Sequence, residues 1–352
     1  MPTPVRLDLK KPEHALRAYK EAVRLEGAGR HEEARKIYRA LAKLGKAPMT
    51  FHRIVAEGLL RTGEAEMADK LIANTIRARA KLLPDTLEEA LERAWDTLDT
   101  QKVDPRALGW AWEHRDPALE IDRDEFERRA KWGMAADMVL LDWLECRPDD
   151  KSAKTVWRNG EERAAVIRAT VESGEGFGIV GAHLGSVFAG PLFYQLWDLD
   201  VHYVGAFSRI PSSPMSARIL PIPELSKDEL RSEADAVVAR GHVLAVSPDG
   251  SLEGPLIDLG KEGLPDVRVG PMIARVVHRH RCGNAFRHVS WKDGGLFHHS
   301  TPMPRAEEGE PFDDFFARWL DAYTICIRET LATIQPEDLR LNAGLWRGIK
   351  RL

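Results

Sequence analysis

Two spacings of apolar residues divide the chain. From Pro12 to about Thr100 the sequence is rich in Ala, Leu, Glu, Arg and Lys, with prolines only at Pro12, Pro48 and Pro84, and it predicts helix throughout. After Asp124 the pattern changes. Helical periodicity at Glu125–Cys146, Glu161–Glu172, Lys227–Arg240, Val269–His280 and Phe312–Ile334 alternates with short apolar runs at Phe177–Ala182, Val201–Ala206, Ile219–Ile222, His242–Ser247 and Phe286–Trp291. Such alternation predicts an α/β fold, a mixed and largely parallel sheet flanked by helices. Ser226 followed by Glu229 predicts a capping box that starts the third of those helices, and Gly241 ends it at the threshold of the next strand. The expected organisation is a helical module over 1–105 and an α/β domain over 106–352, with Lys102–Asp124 as the connection.

A repeat is visible in the helical part. Gly29-Arg30-His31-Glu32-Glu33-Ala34 and the following Ile37-Tyr38 recur 34 residues later as Gly63-Glu64-Ala65-Glu66-Met67-Ala68 and Leu71-Ile72. This spacing resembles a tetratricopeptide repeat, in which a small Ala lets two helices approach and a bulky residue fills the groove between them. Two such units are fewer than usually stand alone, so the module is expected to pack on the rest of the chain. A structural role and the docking of a protein partner are both open.

Composition narrows the function classes. Of 352 residues, 43% are hydrophobic and 30% charged, with a formal net charge of −4, a balance that argues against a nucleic-acid partner. Cys146, Cys282 and Cys326 are far apart and lack metal-ligand spacing, which points to a reducing compartment and to no metal. The N-terminus is not a secretion signal, and no run approaches the ~18 apolar residues of a membrane span. The longest candidate, Met134 to Leu144, is broken by Asp137 and Asp142. A cytoplasmic protein, peripheral on the inner membrane surface, is the expectation.

The chemistry concentrates at strand ends. In Gly174-Glu175-Gly176-Phe177-Gly178-Ile179-Val180-Gly181-Ala182-His183-Leu184-Gly185-Ser186 an apolar run delivers one histidine between glycines, where a ligand can approach backbone. Imidazole is suited to take a proton near neutral pH. A second strand exit offers Ser247-Pro248-Asp249-Gly250-Ser251-Leu252-Glu253-Gly254, where Asp249-Gly250 is either an ordinary turn or the carboxylate that orients His183. Arg209 and Arg275 are solvated side chains or ligands for an anion or carbonyl. The histidines of His278-Arg279-His280-Arg281, with His288, His298 and His299, are expected on solvated basic surface because their spacing does not suit zinc. Phe188, Leu192 and Phe193 belong to an apolar helix that serves as core or as an acyl channel.

In order along the chain, Val156-Trp157-Arg158-Asn159-Gly160-Glu161-Glu162, the His183-Leu184-Gly185-Ser186 block, Arg240-Gly241-His242, Asp249-Gly250, Gly270-Pro271-Met272-Ile273-Ala274-Arg275 and Leu345-Trp346-Arg347 resemble the bacterial lauroyl/myristoyl acyltransferases of lipid A synthesis, over roughly residues 125–352. Their fold is lysophospholipid-acyltransferase-like. The resemblance implies that His183 is a general base on an acceptor hydroxyl attacking an acyl thioester. The donor is then acyl carrier protein or coenzyme A (acyl-ACP or acyl-CoA), and no cofactor is bound. The acceptor is a glycolipid, or the reducing-end sugar of a surface polysaccharide as in a related capsular acyltransferase. The family acid falls on position 188, which is Phe188 here, so either another carboxylate substitutes, with Asp249 the expected one, or His183 works unassisted. Gly185, Ser186, Arg209, Gly250, Glu253 and Arg275 are the expected substrate-binding residues. The alternative is a catalytically inactive acyltransferase-like adaptor that binds lipid or glycan and docks partners through its repeats.

Overall fold

The computed structural model describes residues 12–45, 47–101, 103 and 105–339, so the Leu345-Trp346-Arg347 match lies outside the described residues. The chain divides into two compact units. The division differs from the expected boundary at residue 105. Unit one comprises residues 1–83 together with Ala206–Ala217, and unit two comprises Pro84–Gly205 with Arg218–Leu352.

In the first unit four helices form two hairpins: α1 (Pro12–Gly27) with α2 (His31–Leu41), and α3 (Met49–Arg61) with α4 (Ala65–Ala80). The 34-residue repeat is the repeat of those hairpins. Gly29 and Gly63 both take left-handed φ, +74° and +85°, at the turns. Ala34 and Ala68 are fully buried, as are Tyr38 and Ile72 four residues on. A Cβ on Gly58 would fall 2.4 Å from the Tyr38 ring, so the small-against-bulky rule operates here literally. The Ala206–Ala217 segment completes this core with Ile210, while Ser212 N–H donates to Asp69 Oδ1 at 2.8 Å and Arg53 Nη2 donates to Ser213 Oγ at 3.0 Å.

The second unit is the α/β part. Its strands are β1 (Phe177–Val180), β2 (Val201–Gly205), β3 (Ile219–Pro221), β4 (Val243–Val246), β5 (Leu256–Ile257), β6 (Val267–Arg268), β7 (Gly283–Lys292) and β8 (Gly295–Pro302). Six of them form one sheet in the order β3-β2-β4-β1-β7-β8, parallel except for the β7–β8 pair. The helices are α5 (Leu87–Arg93), α6 (Pro105–Glu113), α7 (Arg123–Cys146), α8 (Gly160–Glu172), α9 (Ala189–Leu196), α10 (Lys227–Ala239), α11 (Met272–His280) and α12 (Phe312–Ala332). Val180, Val246 and Phe286 face one apolar core with Ile273, Val277 and Tyr323, and the alternate residues Ile179, Ala245 and Ala285 are buried too. Burial on both faces is why these strands read as unbroken apolar runs. The capping box of Ser226 and Glu229 forms as expected. The region expected as a connection holds α6, whose Trp110 enters the core. β8 was not expected. It folds back on β7 through Asp293-Gly294, with φ of +49° and +69°, the Asp-Gly hairpin turn. Among the described residues no helix is long and apolar enough to cross a membrane.

Candidate functional site

β1 and β4 are parallel neighbours with Val180 level with Val246. Three residues past each of those positions stand His183 and Asp249, so the register alone delivers them to the same point of the sheet's carboxyl edge. Asp249 sits in the single turn Pro248–Gly250. Its carboxylate is bidentate: Oδ1 lies 2.9 Å from His183 Nδ1 and Oδ2 accepts the His183 backbone N–H at 2.8 Å. The Asp249 side chain is 3% exposed and the imidazole 36%. With Nδ1 directed at the carboxylate, Nε2 is left as the ring nitrogen that can accept a proton. Beneath them, Tyr323 O–H donates to Gly181 O at 2.9 Å. Burial, then the Asp249 charge, holds that phenol far above its ordinary pKa, so it remains a neutral donor.

The loop after His183 is held from three sides. Gly185 has φ +67°, and a Cβ there would lie 2.2 Å from Val289 O, so both conformation and space require glycine. Its N–H donates to Asp338 O at 2.8 Å. Ser186 Oγ donates to Asp137 Oδ1 at 2.6 Å, and the same oxygen accepts Phe188 N–H at 3.1 Å. Asp137, buried on α7, therefore anchors the His183 loop and the start of α9. Its sequence signal was the break it makes in the apolar run Met134–Leu144.

The other expected site residues have varied surroundings. Gly185, Ser186 and Gly250 lie beside the His183–Asp249 pair, but the Ser186 hydroxyl is committed to Asp137. Glu253 is exposed and ion-paired with Lys227. Arg275 is exposed on α11 and lies over the Phe312 ring, 4.3 Å from its centroid. Arg209 belongs to the segment that joins the helical unit. The expected acyl-channel residues Phe188, Leu192 and Phe193 are buried, and Phe193 packs on Trp157 and Trp197 at 4.8 and 4.6 Å between centroids. They line neither of the two cavities described next. The expectation of solvated basic surface fails for His288 and His298. They lie on the β7–β8 hairpin, where burial above all pushes each imidazole down to about 3, so both are neutral.

A cavity of about 690 Å³ opens beside the loop, lined by Gly185, Phe286, His288, Trp291, His299 and Ile334 among others. A second, of about 680 Å³, is lined by Trp95, Trp132 and Trp291 together with Glu88, Arg129 and Arg158. Trp291 and Arg129 line both. The Trp291 indole N–H and Glu337 Oε2 are buried there without hydrogen-bond partners.

Fold and site together define an α/β protein whose largely parallel sheet presents a carboxylate-oriented histidine at its carboxyl edge. No protein-family model matches the chain. It is 28% identical over 331 residues to the Vi polysaccharide export protein VexE of Salmonella typhi, an alignment that takes in 93% of this chain and 50% of that protein. The chain thus spans half the length of that relative.

Proposed function

We propose that the chain is an acyltransferase of surface-polysaccharide assembly, moving a fatty acyl group from an acyl carrier protein or coenzyme A thioester to a hydroxyl of a glycolipid or of a polysaccharide's reducing-end sugar. The observation that carries this reading is the His183 Nδ1 to Asp249 Oδ1 contact at 2.9 Å. Asp249 supplies from β4 the carboxylate that Phe188 does not. In the reaction, His183 Nε2 takes the proton of the acceptor hydroxyl as its oxygen attacks the thioester carbonyl. The new C–O bond forms, the C–S bond breaks, and the proton on Nε2 passes to the leaving thiolate. Asp249 holds the ring's orientation and stabilises its transient charge. The likeness to a polysaccharide export protein supports a glycan acceptor, as does the cavity with tryptophan rings beside carboxylates and arginines, groups that suit a sugar's C–H faces and hydroxyls. The work would take place at the inner membrane surface, where acceptor and chain meet.

The test is acyl transfer by the purified full chain, alongside mass spectrometry of polysaccharide termini from cells with and without it. His183→Ala is expected to lower transfer by ~10²-fold or more. A folded His183→Ala variant that keeps the wild-type rate would overturn the mechanism, and one that binds glycolipid while neither protein transfers an acyl group would favour the inactive adaptor.

A further inference from the structure

A second cluster of chemistry-bearing side chains lies at the other end of the same sheet. β2 and β4 are parallel neighbours with Val201 level with Val243. The register therefore sets Asp200, just before β2, opposite His242, just before β4. His202 is two residues beyond Asp200, and the pleat returns it to the same face. Asp200 Oδ2 lies 2.7 Å from His242 Nδ1, and Asp200 Oδ1 lies 3.3 Å from His202 Nε2. The three donor atoms fall within 4.8 Å of one another. His242 Nδ1 is buried and, despite its closeness to the carboxylate, has no hydrogen-bond partner. Two ring nitrogens and a carboxylate thus converge on one point, where His242 Nδ1 meets the carboxylate without a well-directed hydrogen bond.

We propose that Asp200, His202 and His242 form a divalent transition-metal site of the zinc type that clamps the start of β2 to the start of β4. Donors about 2.0–2.2 Å from a tetrahedral cation stand roughly 3.3–3.6 Å apart, so the 3.3 Å pair already fits and the 2.7 Å pair opens by under about 1 Å when the ion enters. Two imidazoles and one carboxylate select zinc, cobalt(II) or nickel(II) over the hard cations magnesium and calcium, which require oxygen ligands. All three side chains are partly exposed, so water completes the coordination. Arg218 and Arg240 are near enough for their charges to act on His202, and they weaken the site relative to an uncharged setting. The site is separate from the His183–Asp249 pair. His242 enters β4 and Asp249 leaves it, roughly 20 Å away along an extended chain. A metal here therefore braces the sheet rather than taking part in acyl transfer.

The experiment uses the full chain, stripped by a chelator and titrated with zinc chloride and with cobalt(II). One equivalent is expected to bind, giving a tetrahedral-type cobalt spectrum unaffected by excess magnesium. His242→Ala and Asp200→Asn are each expected to weaken zinc binding at least ~10-fold, on the scale of lost ligation, and to leave acyl transfer unchanged. Zinc stoichiometry equal in the wild type and a His202→Ala/His242→Ala double variant would overturn the site, because other surface histidines would then account for the binding. Should those variants misfold, imidazole NMR of the wild type decides. Cobalt must broaden the same two of the twelve histidines that Asp200→Asn perturbs, and broadening of any other pair would sink the proposal.

Discussion

At His183, ordinary residues do the work through where they are held. A histidine 36% exposed at a strand exit could be only a hydrogen-bonded surface group. The bidentate carboxylate makes the difference, because it grips the ring nitrogen and the backbone N–H of the same residue and so fixes both position and tautomer. Asp249→Asn preserves the size of the side chain but removes the charge that stabilises a protonated ring. On the proposed acyl-transfer function, kcat is expected to fall by ~10²-fold or more with KM little changed, as steady-state kinetics on the folded variant would show. An unchanged kcat would mean that Asp249 holds the turn and nothing more. Asp137 makes a related contribution through the loop: one buried oxygen receives both Ser186 Oγ and Phe188 N.

At the scale of elements, the β7–β8 hairpin is the part whose chemistry differs most from its sequence. A stretch with His288, His298 and His299 looks basic, yet pairing β7 with β8 buries the His298 ring and takes His288 largely out of water. His298 O accepts from Asn159 Nδ2 and its N–H donates to Asn159 Oδ1, both at 2.9 Å, while His288 stacks on His299 at 4.3 Å. With pKa values near 3 in the folded state against an ordinary 6.5, the folded chain cannot take up the protons that the unfolded chain binds. The stability these rings allow is therefore complete above pH ~6.5 and is lost as pH falls from there toward 3. Denaturant titrations at pH 7.5 and 5.0 should show a lower midpoint at pH 5.0, and His298→Phe should reduce the difference between them. Equal loss in the variant and the wild type would assign the acid sensitivity elsewhere.

At the scale of the whole molecule, the two units interleave in sequence. Chain order goes from the helical unit into the α/β unit, back for Ala206–Ala217, and on again. Cutting at residue 83 would therefore strip the helical core of Ile210, which is 1% exposed within it, and of the Ser212 and Ser213 hydrogen bonds. Burial of such a side chain contributes about 1.5–3 kcal/mol. Residues 1–83 joined to 206–217 through a glycine-serine linker should accordingly melt at a higher temperature than residues 1–83 alone, followed by circular dichroism. Identical melting curves would show that the segment adds nothing to the unit.

The sequence by itself determined the local features: helix and strand positions for most of the chain, the capping box at Ser226, the repeat that becomes two helical hairpins, and both members of the His183–Asp249 pair. These rest on interactions between residues near in sequence, or on periodicities set by one element's own faces. It left undecided whether Asp249 meets His183 or stands only in a turn. That depends on strand order and register, since a separation of 66 positions between His183 and Asp249 leaves no local trace of their contact. The strand order β2-β4-β1-β7 and the level pairing of Val180 with Val246 brought the two side chains together. The pairing of the distant strands β2 and β4 likewise brought Asp200 and His202 to His242, because long-range backbone hydrogen bonding, rather than local preference, chooses which strand ends meet.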